Sequence, residues 1–442
     1  MLPAQALRRP AILTFIVLAF LLCLVSLSRS LDSHPLRVTP ASPPVIPDQE
    51  QQLSNPKPQT PGRPQPGTAQ SDNGEELVKP TTVNITGMVF FGRRDRVEAM
   101  NCYVERNLIE NGGWLDEVLW YANTNNEEDL KFLDKIVERS PRYKKITLEK
   151  PVGWPDYTKL WRRVERGTVY VKIDDDILWL ADDAIPRMVL TKLKYPDSFA
   201  VSANVINSPP LSFLHFHLGA LHPYFPEREH DPTRKNHSEN ENWRPSSHPF
   251  WEGTSTFEWP LDKEPPSYTK HHRWLRVRED KQLYRTPAAK LTYDFWGPTY
   301  ESWAIAAQQH YSLLENLEKG TTDLYKFSPP WNMQGERIRI NLLAILGDDV
   351  LDTDVEHWPD DRGDEDMIVL DLPKQLQRHI LIEGNALAAH YNFYHQGGLT
   401  STDLLERYTM YAKENVCPVQ PAQGQQQGQQ QGQPQNQQQQ QQ

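Results

Sequence analysis

Val169-Tyr-Val-Lys-Ile-Asp-Asp-Asp-Ile-Leu-Trp179 is the stretch whose reading decides the fold. Val169, Val171 and Ile173 alternate with Tyr170 and Lys172, the period-two pattern of a β-strand. The strand runs directly into Asp174, Asp175 and Asp176. On extended backbone, residues two apart share a side, so Asp174 and Asp176 are expected to converge on one cation while Asp175 points away. Carboxylates at the mouth of an apolar strand are costly unless a metal or a cationic partner compensates them. This is the place to expect chemistry.

Outward from that strand, shorter apolar runs alternate with helical patterns. Gly87–Phe91, Glu117–Tyr121 and Lys145–Leu148 read as strands, with helices over Arg96–Ile109, Glu127–Glu138 and Tyr157–Val164. A helix over Asp183–Leu193 and a strand over Ser198–Ser202 follow. This alternation predicts an α/β layered domain with a mostly parallel central sheet. Ligands of such sheets bind at the carboxyl ends of strands, where Arg93, Arg94 and the three aspartates fall. Residues 207–291 are rich in Pro, His, Trp and charge, without periodicity, and read as a lid, an acceptor-binding insertion or a decoration. Residues 299–347 contain helical stretches. Met367–Leu370 and Ile380–Ile382 read as strands, and Ala386–Tyr394 closes the domain.

The ends of the chain are not domain-like. Ala11–Leu27 is almost wholly apolar and follows Arg8 and Arg9, so residues 11–28 read as a signal-anchor helix. The basic flank places a ten-residue stub in the cytoplasm and the remainder in the lumen. A cleaved signal peptide is the rival reading. Residues 29–80 lack aromatics and read as a disordered Pro-rich stem, and residues 417–442 as a disordered Gln-rich tail. The folded part is thus residues 81–416, and all 13 tryptophans fall within it. Of three cysteines, Cys23 lies in the apolar segment, leaving Cys102 and Cys417 able to form one disulfide. That count excludes a cysteine-based structural zinc site. A net charge of −11 without long basic clusters argues against nucleic acid as a partner. Asn84-Ile-Thr86 and Asn236-His-Ser238 are acceptor sequons on the lumenal side.

An Asp-x-Asp pair at a strand end suits Mn²⁺ or Mg²⁺, and two carboxylates leave positions that a diphosphate can fill. Val171–Ile177 resembles the DxD region of GT-A glycosyltransferases, many of them type II membrane enzymes of the secretory pathway. The layout of stub, anchor, stem and lumenal domain is similar too. With Asn385-Ala-Leu-Ala-Ala-His-Tyr-Asn-Phe393, residues 81–396 most resemble uncharacterised fungal members of that group. The resemblance implies a GT-A-like, Rossmann-type three-layer domain in the Golgi or ER membrane. It also implies a nucleotide-sugar donor, a glycan or glycoprotein acceptor, and Mn²⁺ or Mg²⁺. Asp174 would contact the donor ribose or the metal, Asp176 would ligate the metal, and His390, with His395 second, would complete its site. Arg93 and Arg94 would sit near the nucleotide.

An inverting transfer needs a base, for which Asp349, Glu365 and Asp366 are candidates, with Asp366 preferred because an apolar run follows it. Trp154, Trp161, Trp251 and Trp296 could stack on sugar rings or belong to the core. Two other functions fit a strand-end acidic cluster: a metal-dependent phosphate or phosphodiester hydrolase, and a non-catalytic glycan-binding protein on the same fold.

Overall fold

A computed structural model describes residues 68–70, 74–154, 156–227, 242–259 and 271–417. The apolar run 11–28, most of the stem, Asn236 and the tail beyond Cys417 lie outside the described residues. Among the described residues no helix is long and apolar enough to cross a membrane.

Nine strands form one sheet. They are β1 (Asn84–Phe91), β2 (Glu117–Ala122), β3 (Tyr143–Thr147), β4 (Thr168–Asp174), β5 (Ile177–Leu180), β6 (Ser198–Ile206), β7 (Trp331–Asn332), β8 (Leu342–Leu346) and β9 (His379–His390). Their order is β7-β9-β6-β8-β4-β1-β2-β3, with β5 pairing to β9. β1, β2, β3, β4, β6 and β9 run one way, while β5, β7 and β8 are reversed, so the sheet is mostly parallel. The parallel strands β1, β4 and β6 are buried along nearly their whole length, as strands covered on both faces must be.

The chain winds outward from β1 through β2 to β3, then crosses back to lay β4 on the other side of β1. The order therefore reverses between β1 and β4, and their carboxyl ends flank a topological switch point.

Helices α1 (Arg94–Arg106) and α2 (Glu127–Val137) make the first two crossovers, and α3 (Ala184–Lys194) packs on β6, β8 and β9. Sequence signals mark their ends. Asn126 Oδ1 accepts from the backbone N–H groups of Glu128 and Asp129 at 2.9 and 3.1 Å, and three acidic residues fill the first turn of α2. The 17-residue α4 (Trp303–Lys319) starts at Ser302 and stops at Gly320, whose φ of 67° is left-handed.

Several expectations change. Met367–Leu370 is not a strand; it lies in a π-helical turn over Met367–Asp371. A four-residue apolar run fits a buried helix as well as a strand. Part of the segment expected as stem is folded: Thr68–Gln70 pairs antiparallel with Glu76–Val78, and Leu77 is buried in the core. The described part of the 207–291 segment is not loose. Tyr224–Pro226 pairs with Trp274–Arg276, and Trp251, Trp259 and Trp274 are buried, with Trp259 and Trp274 against Trp303 of α4. Cys417 belongs to the domain rather than the tail, since it is disulfide-bonded to Cys102 of α1 across 315 residues of sequence. That bond fastens the last helix, α5 (Leu404–Asn415), to α1.

Candidate functional site

Strand β4 ends at Asp174, and residues 175 and 176 form a turn into β5. The period-two alternation stops there, so Asp174 and Asp176 do not converge as expected. Asp174 is held by Lys172, two residues back on the same strand face, and by Asn341 Nδ2 at 3.0 Å. The Lys172 ammonium also donates to the Ile340 carbonyl at 3.0 Å. Asp175 does not point away. Its Oδ2 accepts from the Gly92 N–H at 2.9 Å and its Oδ1 from Arg93 Nε at 2.9 Å, both just past the end of β1.

Asp176 lies deepest. Its Oδ2 stands 3.0 Å from Arg93 Nη2, 3.0 Å from Arg96 Nη1 and 3.3 Å from Nε2 of His390, the last residue of β9. The strand ends β1, β4 and β9 and the first turn of α1 thus meet at one carboxylate. Burial acts to raise the Asp176 carboxyl, but His390, Arg93 and Arg96 outweigh it and hold it well below the usual carboxylate range. For Asp175 burial is the largest influence and raises the carboxyl; the Asp176 charge adds to this, while Arg93 opposes it.

Among the described residues no group of three or more His, Cys, Asp or Glu side chains is gathered to hold a metal ion. Two donors are nonetheless in place. Asp176 Oδ1 and His390 Nδ1 are buried and have no hydrogen-bond partner among the described residues. His390 turns Nε2, not the unpaired Nδ1, toward Asp176; the unpaired carboxylate oxygen with an imidazole beside it is donor chemistry that fits a hard divalent cation. Asp174, engaged by Lys172 and Asn341, stands apart from this pair.

In front of the aspartates lies a cavity of about 670 Å³, within the range of small-molecule sites. Asp174, Asp175, Arg93 and Lys172 line one side, and Arg337, Arg339, Asp364 and Glu365 another. None of the described residues of the 207–291 segment lines it.

The candidate bases separate. Glu365 lines the cavity but is engaged by Arg337 and Arg339, each at 3.0 Å. Asp366 does not line it and is paired with Arg337 and, at 3.2 Å, with Arg362. Asp349 is at the wrong end of the sheet. It follows β8, which runs antiparallel to β4, so it sits where β4 begins, paired with Arg378 at 2.7 Å and Lys192 at 3.0 Å. Arg94 also leaves the site, pairing with Glu128 at 3.1 Å and Asp129 at 3.6 Å. His395 packs on Tyr300 and Tyr394 rather than beside Asp176. Trp161 and Trp251 are core residues; Trp154 and Trp296 line the cavity.

The sequence reading passed over Asp364, which is buried, lines the cavity and accepts from Trp161 Nε1 at 3.2 Å. Burial raises its carboxyl, against the opposing charge of Lys172. Lys172, Arg96 and the Arg337/Arg339 pair were also passed over, though each left a signal. Lys172 is a lone charge inside an apolar strand. Arg96 lies in the first turn of α1, three residues after the extended Arg93. Arg337-Ile-Arg-Ile340 alternates, with Ile338 and Ile340 buried and the arginines turned to the cavity.

No family model and no curated protein matches the chain. It is similar to some solved structures. GalNAc-T7 with UDP, GalNAc and Mn²⁺ is 10% identical with a TM-score of 0.36, over 74% of this chain and 46% of that one. TarS 1-349 of S. aureus is 10% identical with a TM-score of 0.31, over 70% and 60%. The 4-diphosphocytidyl-2C-methyl-D-erythritol synthase of Anaerococcus prevotii is 10% identical with a TM-score of 0.21, over 29% and 56%. The chain spans about half the length of the structures it matches. Its chemistry rests on its own residues.

Proposed function

We propose that this chain is a metal-dependent glycosyltransferase of GT-A type, moving a sugar from a nucleoside-diphosphate donor to a glycan or glycoprotein hydroxyl. One observation carries the reading. Asp174, Asp175 and Arg93 line a cavity large enough for a nucleotide sugar at the switch point between β1 and β4, with Asp176, Arg96 and His390 clustered directly behind them.

Asp176 and His390 would hold Mn²⁺ or Mg²⁺, which when bound supplies charge neutralisation on the departing diphosphate. Asp174, oriented by Lys172 and Asn341, would accept from a ribose hydroxyl. Arg93, about half exposed, can turn its guanidinium from the aspartates to phosphate oxygens without leaving the site. In the transfer, the acceptor oxygen forms the new bond to the anomeric carbon as the bond to diphosphate breaks, the electron pair leaving with the diphosphate. The acceptor proton goes to Asp364, whose raised carboxyl suits a general base better than the arginine-bound Glu365 and Asp366.

The compartment belongs to the same proposal. The Cys102–Cys417 disulfide, the exposed Asn84 of a sequon and the apolar run after Arg8 and Arg9 all support a lumenal domain anchored in the Golgi or ER membrane.

The test is a thermal-shift panel of UDP-, GDP- and CMP-sugars with and without Mn²⁺. A cognate donor at 100 times its Kd stabilises the folded state by about 2.7 kcal/mol. Mn²⁺-dependent stabilisation by one donor is expected. No stabilisation by any nucleotide sugar in Mn²⁺ would sink the reading.

A further inference from the structure

Two indole rings stand exposed on the wall of the cavity. Trp154 is 68% exposed and Trp296 51%, and both line the space that Asp174 and Glu365 also line. Most other tryptophans of the domain are buried, so an exposed pair beside a site calls for a ligand.

Neither ring hangs loose. Trp154 lies directly against Gly363: a Cβ at that glycine would sit 2.2 Å from the indole nitrogen, so only glycine leaves the ring its place. Trp296 is backed by Arg337 and Arg339, whose guanidinium carbons lie 5.3 and 5.0 Å from its ring centre. Tyr300 meets it edge-on at 5.3 Å. Glu365 fixes both arginines. Among the described residues Arg339 Nε and Nη2 have no hydrogen-bond partner and are shut from solvent, with Phe295, Tyr300 and Phe393 also around the guanidinium. That side chain supports rings; it does not reach for a ligand.

Rigid aromatic faces at the edge of a charged cavity suit a ligand with one apolar face and many hydroxyls. A pyranose ring is such a ligand, and a pre-placed aromatic ring loses little conformational freedom on binding it. A lipid would meet Arg93, Lys172, Asp174 and Glu365 in the same space.

We propose that Trp154 and Trp296 form the acceptor wall, each stacking one pyranose, so that the acceptor is an oligosaccharide of at least two rings. The proposal rests on the transferase reading of the cavity. It differs from that reading in saying what is glycosylated: a glycan already built, not a protein side chain.

The test is a calorimetric titration of the full-length chain in detergent, without donor, using hexose di- and trisaccharides, their terminal monosaccharides and an unglycosylated peptide. One oligosaccharide is expected to bind at least about tenfold more tightly than its own terminal sugar. Trp154→Leu and Trp296→Leu are each expected to lose about tenfold, and Trp154→Tyr and Trp296→Tyr to recover most of it, because a ring face is needed rather than apolar bulk. A merely structural role would leave the tyrosine variants as weak as the leucine ones, and that result overturns the proposal. So do equal affinities for mono- and oligosaccharide, preference for the peptide, or no oligosaccharide binding at millimolar concentration. A parallel titration with nucleotide sugars reports on the donor reading separately.

Discussion

Two acidic triplets face the same cavity, and their supports differ. Asp174-Asp-Asp176 ends a buried strand; Asp364-Glu-Asp366 opens a helical turn. Each presents its first two carboxylates to the cavity and holds its third behind them. The first triplet meets cations that are themselves buried, Arg96 and Lys172, with His390. The second meets Arg337 and Arg362, which are partly exposed, and the more deeply set Arg339. Lys172 lies between the two, raised by Asp174 and Asp364 against the opposing effect of its burial. Buried compensation makes the first triplet part of the fold's stability. The partly exposed partners of the second leave it freer to change charge during a reaction.

The largest effect that can break this comparison is at Asp176. Asp176→Asn leaves Arg96 buried without its carboxylate, at a cost of about 3 kcal/mol or more. On the proposed metal-holding role of Asp176, transfer is also expected to fall by about 10³-fold. Asp366→Asn in the second triplet leaves behind only the partly exposed Arg337 and Arg362, which water and Glu365 still reach, and costs less, about 1 kcal/mol. Urea unfolding midpoints of the two variants measure the contrast. The sign with pH is fixed by the same residue. Asp176 is depressed in the folded state, so its contribution is full above the ordinary aspartate value of about 3.9 and is lost as pH falls below it. Equal stability of the two variants would remove the distinction between the triplets.

A smaller effect sharpens it. Asp364 is raised in the folded state, so the fold favours its protonated form, and its contribution to stability declines as pH rises through the interval above about 3.9. In its proposed role as the base it would work in the opposite sense, gaining activity over that interval. The acid limb of kcat/KM is therefore expected above the ordinary aspartate value. Asp364→Asn is expected to lower kcat by about 10²–10⁴-fold. Lys172→Met, which takes away the cation opposing the rise, is expected to move the limb higher still. A limb at the ordinary value that Lys172→Met leaves in place assigns the proton to Glu365 instead.

How much of this was legible follows from what sequence encodes. Alternation fixed β4 and the address of the aspartates because side-chain period is a local property. Count alone left Cys102 and Cys417 as a possible pair, and the fold brings them together. The turn at 175–176 was not legible, since nothing before Ile177 announces that the alternation stops. Asp349 was misplaced because strand direction is not written in the strand: Leu342–Leu346 reads the same whichever way it runs, and its antiparallel pairing sends the next residues to the far end. Met367–Leu370 was too short to reveal its period. Arg337 and Arg339 were legible from their alternation with isoleucine and needed only to be read.

The smallest expected effect lies in one pair of neighbours, Arg93 and Arg94. They are adjacent in sequence and both were expected at the nucleotide, but α1 starts between them and turns them apart. Arg93 faces Asp175 and Asp176; Arg94 faces Glu128 and Asp129 beyond the site. Arg94 and Glu128 are both well exposed, so Arg94→Ala is expected to change stability by about 0–1 kcal/mol. Its nucleotide-sugar affinity should stay within twofold (about 0.4 kcal/mol) of the parent. Arg93→Gln, by contrast, removes a fork that touches two carboxylates and is placed to reach phosphate, and should weaken donor binding by tenfold or more (about 1.4 kcal/mol). Calorimetric titration of the two variants against one nucleotide sugar decides it. If Arg94→Ala weakens binding as much as Arg93→Gln, the donor lies over α2 rather than in the cavity beside Asp174.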